Sequence, residues 1–309
     1  MKVLVTGGAG FVGSHLVDAL IARGDEVVVI DHHKKDKRRF PNERAKVYKI
    51  SLSDPEVENI LQKEQPDVIC HLAAQISVPF SVDHPIVDAQ ENILDPLRMT
   101  VAAQNAGVKK FIFASSGGAI YGDHPVLPTP EVFDAKPISP YGVSKQAFER
   151  HLAGQFAQGG IPYVALRFAN LYGPRQMMHG EGEGGVIAIF LSRAIADQPI
   201  TINGDGNATR DFVFVEDAVN AFLKAIDSDY VGVVNIATGI ETSINDLARV
   251  VGEVRENPLD TSYGPERMGD IKRSVLDPTA AETSIGWKAR TSFKDGLRKT
   301  YEWFREHLA

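Results

Sequence analysis

The first half of the chain alternates short, almost continuously apolar runs with amphipathic stretches. Lys2–Thr6 predicts a strand, Phe11–Arg23 a helix stopped by Gly24, and Glu26–Ile30 a second strand. Further strands are predicted at 46–51, 68–72 and 110–114, with helices near 55–64 and 86–106. Alternation of this kind implies a parallel sheet with helices on both faces. Strands covered on both faces are apolar throughout, with no polar alternation.

The second half is less regular. A strand is predicted at Tyr163–Phe168, a glycine-rich loop at 180–185, a helix at 216–226, a strand at 233–237 and a closing helix near 293–307. The charge run at 34–39 reads as a solvated loop. The 309 residues are enough for a large core and for two domains. A net charge of −7 argues against a protein built to bind nucleic acid, where cations must displace counterions. Cys70 is the single cysteine, which excludes an intramolecular disulfide and suits the reducing cytoplasm. Glycines cut the apolar start at once, so no signal peptide is expected. No apolar run approaches about 20 residues, so no membrane span is expected.

Chemistry enters at residues 6–13, Thr-Gly-Gly-Ala-Gly-Phe-Val-Gly, between the first strand and the first helix. Gly7, Gly10 and Gly13 lack the Cβ atoms that would hold a pyrophosphate away from the backbone. The N–H groups of Phe11 and Val12 open the helix toward negative charge. Asp31 ends the second strand, where a carboxylate accepts hydrogen bonds from both adenosine ribose hydroxyls and repels a 2′-phosphate. The combination predicts a Rossmann-like, doubly wound parallel sheet that binds NAD in preference to NADP. His32, His33 and Lys34 are the nearby cations that work against that preference.

A second constellation is Ser139-Pro140-Tyr141-Gly142-Val143-Ser144-Lys145. Ser139 suits a helix cap and Pro140 the first helical position. Tyr141 and Lys145 then share a helix face. Of the eight tyrosines, Tyr141 alone has a lysine four residues on. Bringing a phenol from about 10 toward neutrality takes roughly 3 units, or about 4 kcal/mol. Lysine plus a positive nicotinamide in a dry site supply that. Tyr141 then removes a hydroxyl proton as hydride leaves the same carbon.

With these residues in hand, the chain resembles the extended short-chain dehydrogenase/reductase family, in particular its UDP-glucose (UDP-galactose) 4-epimerases. The marks are TGGAGFVGSH at 6–15, HLAAQ at 71–75, SSGGAIYG at 115–122 and SPYGVSK at 139–145. LRFANLYGPRQ at 166–176, RDFVFVEDA at 210–218 and RMGD at 267–270 complete them. The resemblance implies NAD-dependent epimerisation at sugar C4 through a transient 4-keto intermediate. It implies that Leu52 flanks the adenine, that Ala73 and Gln75 line the cofactor path, and that Phe168 lies near the nicotinamide. Asn170, Arg210, Arg267 and Asp270 match positions that hold the nucleotide diphosphate. Ser274 matches a position bordering the sugar's C2 substituent, where a small residue tends to admit N-acetyl sugars. It also implies an NAD-binding domain over 1–169 with returning segments near 210–237, a smaller α/β substrate-binding domain mainly over 170–309, and a homodimer formed through helices near 86–105 and 141–158.

The chain departs from that family at Gly117, where a catalytic serine or threonine usually stands. Ser116, or a water in the space left by Gly117, is the candidate replacement. A dehydratase or a decarboxylase of the same family carries an acid just before the IYG segment, and residues 115–119 hold none. This lowers both readings, and the alternatives are another sugar-nucleotide epimerase, dehydratase or decarboxylase of the same family and, less favoured, a non-catalytic NAD sensor, opposed by the intact Tyr141–Lys145 pair. Metal chemistry has no support: His32-His33 lacks a spaced partner, and His71 and His151 read as packing residues.

Overall fold

A computed structural model of the chain describes residues 1–32, 40–177, 185–266 and 271–308. The chain opens with β1 (Lys2–Thr6), α1 (Phe11–Arg23), β2 (Glu26–Ile30), β3 (Lys46–Tyr48), α2 (Glu56–Glu64) and β4 (Val68–His71). Next come α3 (Val78–Asp83), α4 (Pro85–Ala89), a π-helical turn (Gln90–Leu94) and α5 (Asp95–Asn105). They lead into β5 (Lys110–Ser116), α6 (Gly117–Ile120), α7 (Pro140–Ala157) and β6 (Tyr163–Phe168). The remainder comprises β7 (Asn170–Tyr172), α8 (Val186–Ile195), β8 (Ile200–Asn203), β9 (Thr209–Arg210), β10 (Phe212–Phe214), α9 (Val215–Asp227) and β11 (Gly232–Ile236). β12 (Thr242–Ser243), α10 (Ile244–Arg255), β13 (Thr261–Gly264), α11 (Thr279–Ile285) and α12 (Phe293–Leu308) finish it.

Among the described residues, seven parallel strands form one sheet in the order β3-β2-β1-β4-β5-β6-β11. The chain reverses its direction of travel between β1 and β4. In open sheets of this kind the crevice at the carboxyl ends of the strands, at that reversal, is where ligands bind. The expected α/β, Rossmann-like sheet is therefore what forms.

Each face of the sheet is sealed by its own core. One packs Leu16, Val17 and Leu20 of α1 with Ala218, Phe222 and Ala225 of α9 against Val3, Val5 and Val29. The other packs Ile60 and Leu61 of α2, Met99 and Ala103 of α5, and Phe148 and Leu152 of α7 against Leu4, Ile69 and Phe111. This double covering explains why the strands read as continuous apolar runs. A third core joins α8, α10 and α12 through Ile187, Leu191, Leu247, Val251, Leu297 and Phe304.

Several boundaries differ from expectation. β3 ends at Tyr48 and not at 51, and β5 runs on to Ser116. The predicted helix at 86–106 is interrupted by the π-helical turn, and α3 precedes it unannounced. α8, α10 and α11 belong to the stretch that showed no clear period. The charge run at 34–39 and residues 180–184 of the glycine-rich loop lie outside the described residues.

Candidate active site

A cavity of about 560 Å³ lies along the carboxyl ends of the strands. At one end it is lined by Gly7, Gly10, Phe11, Val12 and Gly13, with Asp31 and Leu52 beside them. Ala73 and Gln75 line its middle, and Ser116, Tyr141, Lys145 and Phe168 its far end. All the residues expected to contact the cofactor thus border one space.

The glycine end is built by close backbone approach. Gly7 has φ +69°, and a Cβ there would sit 2.9 Å from the Ala73 nitrogen. A Cβ at Gly13 would lie 2.1 Å from the Gly7 carbonyl oxygen. Gly10, the N-cap of α1, is extended and offers no side-chain cap, and the first turn of the helix holds no acidic residue. Its leading N–H groups remain for a ligand, and the helix dipole favours an anionic one. The buried Asp31 carboxylate accepts the Ala9 N–H at 3.0 Å through Oδ2, which fixes its orientation at the cavity wall. An open helix N-terminus, a glycine cradle and a strand-end carboxylate fit a dinucleotide such as NAD.

At the other end α7 packs on the last residues of β5. Ser139 caps α7 by accepting the Gly142 N–H at 3.2 Å, as its position implied. Tyr141 lines the cavity together with Ser116, whose side chain acts against the rise of the phenol's pKa. Two further residues on this helix reach two successive strand positions. Lys145 Nζ donates to the Ala114 carbonyl at 3.2 Å and lies 5.7 Å from the centre of the Tyr141 ring. The Ser115 hydroxyl donates to Glu149 Oε1 at 2.5 Å. Glu149 in turn pairs with Arg167 at 2.6 Å, and Arg167 donates to the Tyr121 hydroxyl, also at 2.6 Å.

Burial governs the charges here. It pushes the Tyr141 phenol up to about 12, against the effect of the Ser116 side chain, with the negative charge of Asp88 adding to the rise. It brings Lys145 down to about 8, opposed by the negative charges of Asp88 and Glu149. The chain by itself therefore holds a neutral phenol beside a lysine that titrates near neutrality. His71 is a packing residue, as expected. Its Nδ1 meets the Thr6 hydroxyl at 2.7 Å, its ring stacks on Phe113, and burial lowers it to about 3.

The Gly117 question has a steric answer. A Cβ at 117 would stand 2.3 Å from Leu276 Cδ1 and 3.3 Å from the Arg167 carbonyl oxygen. The space beside Gly117 is filled by Leu276, and Ser116 lines the cavity next to it, with Tyr141.

Of the residues expected to hold substrate, Asn170, Arg210 and Ser274 are not part of this cavity lining. Asn170 starts β7, donates its N–H to the Asp211 carbonyl at 2.9 Å, and has Oδ1 3.5 Å from where a Cβ at Gly118 would be. Arg210 donates to the Thr209 carbonyl at 2.8 Å, and the Ser274 N–H reaches that same carbonyl at 3.2 Å. The structure thus gathers Arg210 and Ser274 around Thr209, close in the chain to the Asn170–Asp211 contact. Arg267 and Asp270 lie outside the described residues. Sequence reasoning missed Asp88, Glu149 and Leu276. A carboxylate at 88 within a helix-forming stretch was a signal. The fit of Leu276 against Gly117 left none.

Comparison with known proteins agrees with this geometry. Residues 3–237 match the NAD dependent epimerase/dehydratase family. A UDP-glucose 4-epimerase of Mycolicibacterium smegmatis is 40% identical over 99% of both chains. A crystal structure of UDP-glucose 4-epimerase with UDP-glucose from Thermotoga maritima is 43% identical, with a TM-score of 0.96 over 100% of both chains. The Thermus thermophilus UDP-glucose 4-epimerase in complex with NAD is 38% identical, with a TM-score of 0.92 over 99% of this chain and 100% of that one.

Proposed function

The chain belongs to the NAD dependent epimerase/dehydratase family, and from that premise we propose that it is an NAD-dependent isomerase that inverts a UDP-sugar at C4, with UDP-glucose and UDP-galactose as the pair. The observation that carries this reading is the union, in one cavity, of an uncapped glycine turn at one end with Ser116, Tyr141 and Lys145 at the other. When bound, NAD supplies the acceptor and donor of hydride for sugar C4 and a positive charge to the same pocket.

The chain's own residues do the rest. Tyr141 takes the O4 proton and returns it after the 4-keto sugar has turned over. Ser116 holds the phenol and offers its hydroxyl to the same oxygen. Lys145 lowers the cost of the phenolate and keeps α7 registered on β5. Within 115–119, the absence of an acid before Tyr121 leaves nothing to move a proton at C5 or C6, which disfavours a dehydratase or decarboxylase.

Asn170, Arg210, Arg267 and Asp270 are assigned to the nucleotide diphosphate, where two guanidinium forks suit its oxygens. Ser274 is assigned to the wall beside sugar C2. The division of labour is cofactor binding by 1–169 with the returning 210–237, and substrate binding mainly by 170–309. The third core supports a separate packing unit there. A homodimer through α4, α5 and α7 explains exposed apolar side chains on those helices: Ile86 is 84% exposed, Val101 55% and Val143 50%. A panel of UDP-, GDP- and dTDP-sugars, with products resolved by chromatography, tests the reading. Interconversion confined to UDP-hexoses is expected; binding of NAD with no sugar interconverted would make the protein a sensor.

A further inference from the structure

Two buried carboxylates, Asp88 and Glu149, act on Lys145, and they differ in one respect. Glu149 is neutralised by Arg167, which reaches it through both Nε and a terminal nitrogen. Asp88, on α4, is fully buried, and among the described residues its hydrogen-bond donors are all neutral. Ser144 Oγ donates to Oδ2 at 2.6 Å, while Gln75 Nε2 at 2.7 Å and Asn92 Nδ2 at 2.9 Å donate to Oδ1. A buried carboxylate without a cationic hydrogen-bond partner is costly to keep unless a positive charge lies near. Its field acts on the reacting pair, favouring the charged form of Lys145 and opposing ionisation of Tyr141.

The same carboxylate joins the parts of the site that must agree in position. Ser144 lies between Tyr141 and Lys145 on α7. Gln75 lines the cavity, and its backbone carbonyl accepts Asn92 Nδ2 at 2.9 Å. Asn92 lies in the π-helical turn, a distortion frequent at functional sites. We infer that Asp88 is a positioning residue, the buried counter-charge that ties the Tyr141–Lys145 turn of α7, through Ser144, to Gln75 on the cavity wall.

The inference rests on the NAD-dependent reading above, because a cationic nicotinamide adds a second positive charge that Asp88 offsets. Other titratable groups near the pair are accounted for. His71 on β4 faces Lys145 but is neutral, since burial lowers it to about 3. Glu149 faces Lys145 with its charge met by Arg167. His84 and Glu91, on the neighbouring turns, are exposed, and Asp95 accepts a hydrogen bond from Gln90.

Asp88→Asn keeps the shape and removes the charge, whereas Ser144→Ala removes one hydrogen bond and keeps the charge. The pH dependence of NAD affinity, measured by calorimetry, and that of kcat on the NAD-loaded enzyme are the two readouts. Asp88→Asn is expected to move the midpoint attributed to Lys145 downward by about half a pH unit or more in both, since lost negative charge disfavours the ammonium. Ser144→Ala is expected to leave the midpoint in place. Asp88→Ser removes the same charge should the asparagine variant not fold. Unmoved midpoints in a folded, uncharged variant, or equal movement in Ser144→Ala, overturn the inference. Should the wild type bind NAD but turn over no UDP-sugar, the epimerase reading fails, and the affinity profile alone still decides the role of Asp88.

Discussion

Leu276 Cδ1 stands 2.3 Å from where a Cβ at Gly117 would be, while the neighbouring Ser116 lines the cavity with Tyr141. The hydroxyl at this end of the cavity thus belongs to the last position of β5. Ser116→Ala should therefore slow turnover by about 10²-fold, the scale of one positioned proton-transfer partner, with NAD affinity unchanged. Adding Gly117→Ser should not restore the rate, because Leu276 occupies that space. An unchanged rate in Ser116→Ala would mean that Tyr141 acts on the sugar directly.

Lys145 gives a stability prediction with a definite sign. Burial lowers it to about 8 in the folded chain, against about 10.4 for an unfolded lysine. Between those values the unfolded chain binds more protons, so stability rises with pH through that window. Below about 8 the cost of the buried ammonium is fully present. Without NAD, the stability of Lys145→Met relative to wild type should thus fall by about 1–3 kcal/mol between pH 7 and about pH 10.4, whatever the offset left by the uncompensated Asp88. Urea unfolding at both pH values measures it. A difference that does not change between the two pH values would contradict a lysine lowered by burial.

Much of this site was legible in the sequence, for a local reason. The glycine turn, Asp31 and the Tyr141–Lys145 helix each depend on residues a few positions apart, and the sheet brings them to one cavity. The strands of the first half were legible because both faces are buried. In the second half the closing helix α12 was legible, but α8 and α10 were not: they are far apart in sequence and join α12 in one core through contacts with one another. The Asp88 hub and the Leu276 contact at Gly117 were equally hidden, since each depends on a fold that brings distant segments together.

Ser274 carries the prediction on sugar size. With Ser274 assigned to the wall beside C2, a serine leaves room for an acetamido group, so UDP-N-acetylglucosamine should be interconverted with its C4 epimer alongside UDP-glucose and UDP-galactose. Ser274→Tyr should suppress the acetylated pair selectively, because a clash acts on one competitor and not the other. Parallel kinetics on both pairs decide it. A wild type inactive on the acetylated pair, or an equal loss on both in the variant, contradicts the assignment.

The central claim is that Tyr141 moves the O4 proton while the rest of the cavity holds cofactor and sugar. Its most direct measurement is the interconversion of UDP-glucose and UDP-galactose, resolved by chromatography, for wild type and Tyr141→Phe, with NAD affinity measured on the same samples. Phenylalanine keeps the ring and removes only the hydroxyl. The account predicts loss of epimerisation with NAD binding and fold retained; near-normal turnover in Tyr141→Phe would contradict it.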